Sequence, residues 1–213
     1  MTKHIIICCE GGSEQLYIQQ LNALLASVES SDETRFVQPL IFHPVLVACG
    51  EFTPVMRIIR SERVNNPRTK LQVWVDYDLY HPKRKESKRQ KYLSRPKGVP
   101  AFHFSFHNFE DFLILHYPPD LLQEWKSMFT DTGHFSQPLH HKEYRNRFSA
   151  ILPDYKKGSL PSQFVNAVTL GNLKRNLPGR IILPSDEPDF QDFAGFLLDE
   201  LNIAYPELYR SLP

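Results

Sequence analysis

Carboxylate side chains at the ends of two apolar runs are the groups of this sequence best suited to chemistry. Each run is short and bounded by a turn signal, as expected of a buried strand in a parallel sheet. The acids and the runs they follow are Glu10 and Glu14 after Ile5–Cys9, and Asp76 and Asp78 after Leu71–Val75. Because α/β proteins place their sites at the carboxyl ends of parallel strands, we expect these acids to lie at one edge of the sheet.

Carboxylate oxygens from neighbouring strands are suited to a divalent cation. Neighbouring strands lie about 4.8 Å apart. Two acid-bearing strand ends can therefore share one metal ion, or a pair of ions roughly 4 Å apart. The predicted cofactor is therefore a divalent metal ion.

The individual acids have different local settings. Glu10 precedes two glycines, which allow a tight turn from strand to helix. An unpaired carboxylate there is costly unless it binds a metal or caps the helix. Glu14 lies one helical turn on, within about 5–6 Å of Glu10, although an acid in a first turn also stabilises the helix itself. Asp76 and Asp78 alternate around one residue, so both can point to the same side as the strand ends.

A fifth acid, Glu110, comes shortly after a fourth predicted strand, Ala101–Phe106, and would reach the same edge. Its neighbour Asp111 faces elsewhere on the following helix and is interpreted as a cap or a surface group. His116, later on that helix, is interpreted as a core or helix-end histidine. The predicted metal ligands are Glu10, Glu14, Asp76, Asp78 and Glu110. The predicted catalytic residues are Glu10, Asp76 and Asp78.

A basic segment at residues 81–97 begins three residues after Asp78. Against a single acid, Glu86, it carries Lys83, Arg84, Lys85, Lys88, Arg89, Lys91, Arg95 and Lys97. Charge runs are usually solvated, mobile loops. Next to metal-binding carboxylates, however, such a segment can neutralise the phosphates of a bound nucleic acid. Lys83, Lys85, Lys88 and Arg89 are predicted substrate-binding residues.

A second, smaller basic cluster is Tyr155–Gly158, which contains Lys156 and Lys157. Its glycine could let backbone amides approach a phosphate. The alternative is that both residues are ordinary surface lysines. Lys156 and Lys157 are also predicted to bind the substrate.

Strand and helix patterns alternate through the first half of the chain, which favours a parallel sheet with right-handed crossovers. A further apolar run covers residues 39–48, and helical spacing follows Glu10 and recurs over 52–63 and 109–116, with Ser13 a candidate cap of the first helix. The second half is mainly helical, near 120–129, 140–151, 160–176 and 189–203, and residues 180–183 could add a short strand. The sequence therefore predicts a parallel sheet flanked by helices, in one domain over 1–213 with a core at 1–117 and a helical part at 118–213.

Composition excludes some classes of protein. With 41% hydrophobic and 23% charged residues, the chain has the composition of an ordinary globular protein. Its net charge of +1 is too small to attract a polyanion over the whole surface, so any such attraction must come from local clusters of charge. The first apolar run is too short for a signal peptide or a membrane span. Cys8, Cys9 and Cys49 have no metal-ligand spacing and read as reduced core cysteines, so a cytoplasmic protein is expected.

Three blocks of the sequence resemble the RloB family of small bacterial proteins, which have a TOPRIM-like fold. The blocks are residues 7–17, with Glu-Gly-Gly-Ser-Glu after a strand; residues 73–78, with Asp-Tyr-Asp; and residues 107–117, with Asn-Phe-Glu-Asp. The resemblance covers residues 5–117. It implies a TOPRIM-like sheet, metal-dependent nuclease chemistry, a link with anti-phage loci and a possible ATPase partner protein.

The residues and the resemblance together predict Mg²⁺- or Mn²⁺-dependent hydrolysis of nucleic-acid phosphodiesters. Asp76 and Asp78 would hold a metal on the leaving-group side. Glu10, helped by Glu14 and Glu110, would hold a second metal or act as general base. Two alternatives stay open: a binding module for nucleic acid or an ATPase that does not cleave, and a phosphatase or nucleotidyl transferase acting on a small phosphate ester.

Overall fold

The structure, a computed structural model, describes residues 2–31, 39–47, 49–128, 141–156, 158–179 and 190–213. Its strands are β1 (Lys3–Cys9), β2 (Leu40–Leu46), β3 (Lys70–Asp76), β4 (Phe102–Ser105) and β5 (Gln191–Asp192). Its helices are α1 (Gly12–Ser31), α2 (Phe52–Asn65), α3 (Arg89–Leu93), α4 (Phe109–Ile114), α5 (Pro119–Ser127), α6 (His141–Ile151), α7 (Ala167–Asn176), α8 (Phe193–Ala204) and α9 (Pro206–Ser211).

The strands of the described ranges form one five-stranded, fully parallel sheet in the order β2-β1-β3-β4-β5. The predicted α/β class, with helices flanking a parallel sheet and a helical C-terminal part, is confirmed. β2 is added on one side of β1, and β3 and the later strands are added on the other side, so the order of strand addition reverses between β1 and β3. Doubly wound sheets hold their ligands at such a point, at the carboxyl ends of the two strands.

Alternate residues of the strands pack into two separate cores. Ile5, Ile7 and Cys9 of β1 face α1 and the helices of the C-terminal half. Ile6 and Cys8 face α2 and the chain that follows β3. Burial on both faces explains the nearly continuous apolar runs, because a strand covered on both sides needs no polar alternation.

β4 differs from the alternation that its sequence suggested, because its polar residues are buried as well. Ser105 accepts a hydrogen bond from the indole of Trp74 at 2.8 Å. The ring of His103 lies 3.1 Å from the amide oxygen of Gln72. Each of these two buried side chains therefore has one polar partner on the neighbouring strand β3.

The C-terminal half completes both the sheet and the larger core. β5 pairs with β4, and the ring of Phe193 at the start of α8 stacks on Trp74 with centroids 3.7 Å apart. The helix predicted over 160–176 begins only at Ala167, where Asn166 caps it through two backbone amides. α9 was not predicted, and the strand suggested at 180–183 lies outside the described residues. None of the described helices is both long and apolar enough to span a membrane.

Candidate active site at the β1–β3 edge

Glu10 lies directly after β1, and the backbone of β3 holds its carboxylate in place. The amide of Asp76 donates to Oε2 of Glu10 at 2.8 Å, and the amide of Gly50 is a second donor. A side chain at position 50 would collide with this carboxylate, since a Cβ there would lie 2.6 Å from Cδ of Glu10. Gly50 is therefore part of the site, which sequence reasoning missed. The only signal was a glycine just after the second strand.

Asp76 ends β3 beside Glu10. Its Oδ1 atom is buried, and no group of the described chain donates a hydrogen bond to it. Burial, first, and the charge of Glu10, second, raise the pKa of Asp76 well above its usual range. A buried carboxylate oxygen without a donor is costly, and a cation bound at this point would relieve that cost.

Glu10 and Asp76 share a cavity of about 300 Å³ with two more predicted ligands, Glu14 and Glu110. Glu14 is buried in the first turn of α1 and Glu110 in the first turn of α4. The complete lining is Glu10, Gly11, Gly12, Ser13, Glu14, Cys49, Asp76, Phe109, Glu110, Tyr155 and Gly158. Acids that follow three different strands therefore line one cavity at the edge predicted from the sequence.

Asp78 takes a different position from the one expected. β3 ends at Asp76 and the chain continues as a 3₁₀ helix over Tyr77–Tyr80, so the two-residue alternation of a strand does not extend to Asp78. Its carboxylate lies 2.5 Å from Nη1 of Arg84, and the cavity is lined without it. The strand alternation on which the shared direction of Asp76 and Asp78 was predicted is therefore absent at Asp78, and a catalytic or metal-binding role of Asp78 stays a prediction.

The concentration of negative charge perturbs protonation at the site. The pKa of Glu10 is raised to about 7: burial is the main cause, the charges of Glu14 and Asp78 add to it, and hydrogen bonds from the amides of Asp76 and Gly50 oppose it. Within the described ranges, no three His, Cys, Asp or Glu side chains form a ready metal-binding group. Carboxylates that repel one another are expected to stand apart until a cation draws them together. The all-oxygen donor set and the unsatisfied Asp76 fit a hard divalent cation.

The basic segment at 81–97 is anchored to the fold rather than loosely solvated. Tyr92 of α3 is fully buried, and its hydroxyl accepts the amide of Phe102 at 3.1 Å. Arg89 lies over the ring of Phe190, 5.1 Å from its centroid. Lys88 lies 3.9 Å from Glu51, which follows Gly50. Lys83 and Lys85 are exposed. The segment is therefore held near the acidic cavity by the pairs of Arg84 with Asp78 and Lys88 with Glu51, while four of its lysines, Lys83, Lys85, Lys91 and Lys97, are exposed.

The second basic cluster also reaches the cavity, through residues other than its lysines. The hydroxyl of Tyr155 donates to Oε1 of Glu110 at 3.2 Å. The amide of Gly158, whose φ is +85°, donates to the hydroxyl of Ser13 at 3.1 Å. Ser13, expected to cap α1, instead fastens this distant segment to the site. Lys156 is exposed, and Lys157 lies outside the described residues.

Asp111 of α4 and His116, two residues after that helix, have structural roles, as predicted for His116. Both ring nitrogens of His116 are engaged, Nε2 with the hydroxyl of Tyr17 at 2.8 Å and Nδ1 with the carbonyl of Phe112. Asp111 is buried in a capping box with Asn108 and accepts the indole N–H of Trp125 at 2.8 Å. The cap was predicted, whereas a surface position for Asp111 is wrong.

Comparison of the chain with protein-family models, with curated proteins and with solved structures found no match. The resemblance to the RloB family therefore stays a prediction from three sequence blocks. What the site can do has to be inferred from its own geometry and charge.

Proposed function

We propose that the chain is a metal-dependent nuclease that hydrolyses nucleic-acid phosphodiesters at the β1–β3 edge. One observation carries this proposal: Glu10, Glu14, Asp76 and Glu110 line a single cavity in which Oδ1 of Asp76 is buried without a donor. An acidic cluster of this kind is costly on its own and favourable around a divalent cation.

The four acids would bind Mg²⁺ or Mn²⁺, which when bound polarises the scissile phosphate and lowers the pKa of an attacking water. Glu10 is fixed in direction by two backbone amides, which suits a ligand that must not move during turnover. Asp76 offers its free oxygen, and Tyr155 orients Glu110. Asp78 holds Arg84 beside the acids, where its guanidinium can neutralise charge on the phosphate.

Nucleic acid is the proposed substrate class because two basic segments are tied to acids at or near the cavity, through Arg84 to Asp78 and through Tyr155 to Glu110. Lys83, Lys85 and Lys156 are exposed, and Lys88 and Arg89 are held on the same segment. Cations placed beside a metal site can neutralise the neighbouring phosphates of a polymer. A role in anti-phage defence and an ATPase partner are proposed on the sequence resemblance alone.

The test is cleavage of DNA and RNA by the purified chain with Mg²⁺, Mn²⁺ or a chelator. We expect metal-dependent products from the wild type and none from Glu10→Ala or Asp76→Ala. Glu207→Ala, an exposed acid that pairs with Arg210 on α9, serves as the matched control and should cleave normally. Wild-type activity in either site variant would mean that the site is misassigned.

The two alternatives give different outcomes in the same assay. A binding module would retain nucleic acid without cleaving it under any metal condition. A phosphatase would release inorganic phosphate from a small aryl phosphate ester and leave the polymer intact. Against an aspartyl phosphatase, Glu10 follows the first strand, where such enzymes place their nucleophilic aspartate.

A further inference from the structure

A second cavity, of about 440 Å³, lies on the other side of Tyr155. Its lining includes Leu113, Tyr117, Asp154, Tyr155, Lys156 and Ser159. Cavities of this size hold small organic groups. None of the proposed catalytic steps uses it.

Tyr155 connects the two cavities. The hydroxyl of Tyr155 donates to Glu110 in the acidic cavity, and Tyr155 also lines the second cavity. The ring is supported from behind by Phe148, in an edge-to-face contact with centroids 4.7 Å apart. A ligand in the second cavity would therefore lie one side chain away from the metal-binding acids.

The walls of the second cavity are suited to a ligand that has a flat aromatic ring and polar groups at one edge of that ring. Leucines and prolines provide an apolar surface, and Tyr117 adds a half-buried aromatic ring that packs on Phe164. Asp154 and Lys156 stand at the exposed rim, where a carboxylate can accept amino groups of a base and a lysine can meet a phosphate. Aromatic walls with cations at the rim are the usual means of binding unpaired bases.

We propose that this cavity binds the nucleobase of the nucleotide next to the scissile phosphate. The inference rests on the proposed function and narrows its substrate class. A base inside a duplex is stacked and paired, so it cannot enter a separate cavity without leaving the helix. The substrate is accordingly a single strand or an unpaired nucleotide.

The test measures binding of three ligands of equal length by fluorescence anisotropy: a single strand, the same strand with abasic sites, and a duplex. An Asp76→Asn background prevents the proposed cleavage, and a parallel assay follows cleavage by the wild type. Stacking of one base should make the abasic strand bind roughly fivefold to a hundredfold more weakly. The duplex should also bind more weakly than the single strand.

Variants then locate the effect. Tyr117→Ala should lower affinity for the base-containing strand and leave that for the abasic strand unchanged, whereas Tyr117→Phe keeps the ring and should bind normally. Should Tyr117→Ala fail to fold, Ser159→Trp fills the cavity from its exposed rim and should have the same selective effect, with Ser159→Ala as its control.

The outcomes separate this inference from the proposed function. Equal binding of intact and abasic strands, or equal losses with both strands in the variants, overturns the base pocket, while metal-dependent cleavage would still support a nuclease. Base-dependent binding without cleavage under any metal condition supports the pocket and overturns the nuclease.

Discussion

Glu10 and Asp76 are adjacent acids whose surroundings differ in a way that sets their roles. Glu10 receives two backbone hydrogen bonds, whereas Asp76 has a buried oxygen for which the described chain offers no donor. Substitution of the two should therefore have opposite effects on the metal-free fold, although both should prevent cleavage.

Asp76→Asn should raise the free energy of unfolding of the metal-free protein at neutral pH by about 1–3 kcal/mol. The reason is that a neutral amide replaces a carboxylate whose ionisation is opposed by burial and by Glu10. Glu10→Ala should instead lower it by about 1–3 kcal/mol, because the amides of Asp76 and Gly50 lose their acceptor. Urea denaturation with a chelator measures both. Destabilisation by Asp76→Asn would contradict a strained carboxylate.

The same carboxylates predict a pH dependence of stability. Because the folded-state pKa values of Asp76 and Glu10 are raised, the folded protein retains protons that the unfolded chain releases near pH 4. Stability of the metal-free wild type should therefore fall, relative to Asp76→Asn, as pH rises from about 4 to about 7.

Two histidines act in the opposite direction, which is why the comparison with the variant is needed. Burial lowers the pKa values of His103 and His116 to about 4, so they make stability rise with pH up to about 6.5. Both proteins contain them, and the difference cancels their effect. Denaturation across this pH range, with and without Mg²⁺, measures the result, and saturating Mg²⁺ should flatten the wild-type decline. Parallel pH curves without metal would count against the assignment.

At the scale of elements, the 3₁₀ helix after β3 and the basic segment at 81–97 determine where Asp78 and the cationic side chains lie relative to the acidic cavity. The turn at Tyr77–Tyr80 directs Asp78 to Arg84, and Tyr92 fixes α3 in the core behind the sheet. The basic segment is therefore fixed to the fold while Lys83, Lys85, Lys91 and Lys97 are exposed, and Lys83 and Lys85 are the two nearest in sequence to Asp78.

Replacing Lys83 and Lys85 together by alanine should weaken nucleic-acid binding and leave metal binding unchanged. Each lost phosphate contact should reduce the salt slope of log K by about 0.9 on duplex DNA or about 0.7 on a single strand. Titrations at several salt concentrations give the slope, and Mn²⁺ titration monitors the site. Adding Arg84, Lys88 and Arg89 to the variant should increase the loss, but these three also pair or pack within the fold.

Lys156→Ala is the matched comparison, for which we expect a smaller effect. An unchanged affinity and salt slope in the Lys83 and Lys85 variant would show that the segment is solvated surface. The small phosphate ester would then become the better substrate class.

At the scale of the whole molecule, the C-terminal half supplies parts of the sheet, of the larger core and of the acidic cavity. β5 adds the last strand of the described sheet, Phe193 covers Trp74, and Tyr155 closes the acidic cavity. The core on this side of the sheet contains residues from Ile5 to Leu212.

A fragment of residues 1–117 should therefore fail to fold into a native structure, even though it contains all the predicted metal ligands. Removing α5–α9 exposes Trp74 on one face of the sheet and Phe109 and Phe112 on α4. An apolar surface of that size cannot remain in water without association or loss of packing. Near-UV circular dichroism and chemical-shift dispersion measure this, with the full chain as control. A cooperatively unfolding, monomeric fragment would show that the core is independent.

The sequence by itself determined the strands β1–β4, the helices α1, α2 and α4, and the acids at the strand ends, whereas β5 falls in a segment predicted as helix. Their signals are local, since apolar runs, helical spacing and turn residues reflect the backbone geometry of a few neighbouring positions. Glu10 and Asp76 could be placed at one edge for the same reason, because parallel strands must end together.

The tertiary structure decided which of these groups meet and which do not. The amide of Asp76 reaches Glu10 across 66 positions of the chain, and Tyr155 reaches Glu110 across 45. Gly50 and Tyr155 belong to the site because of such contacts. Asp78 does not line the cavity, because β3 ends two residues before it and a 3₁₀ helix follows. Contacts between distant positions depend on how whole elements pack, and no local pattern of residues records that packing.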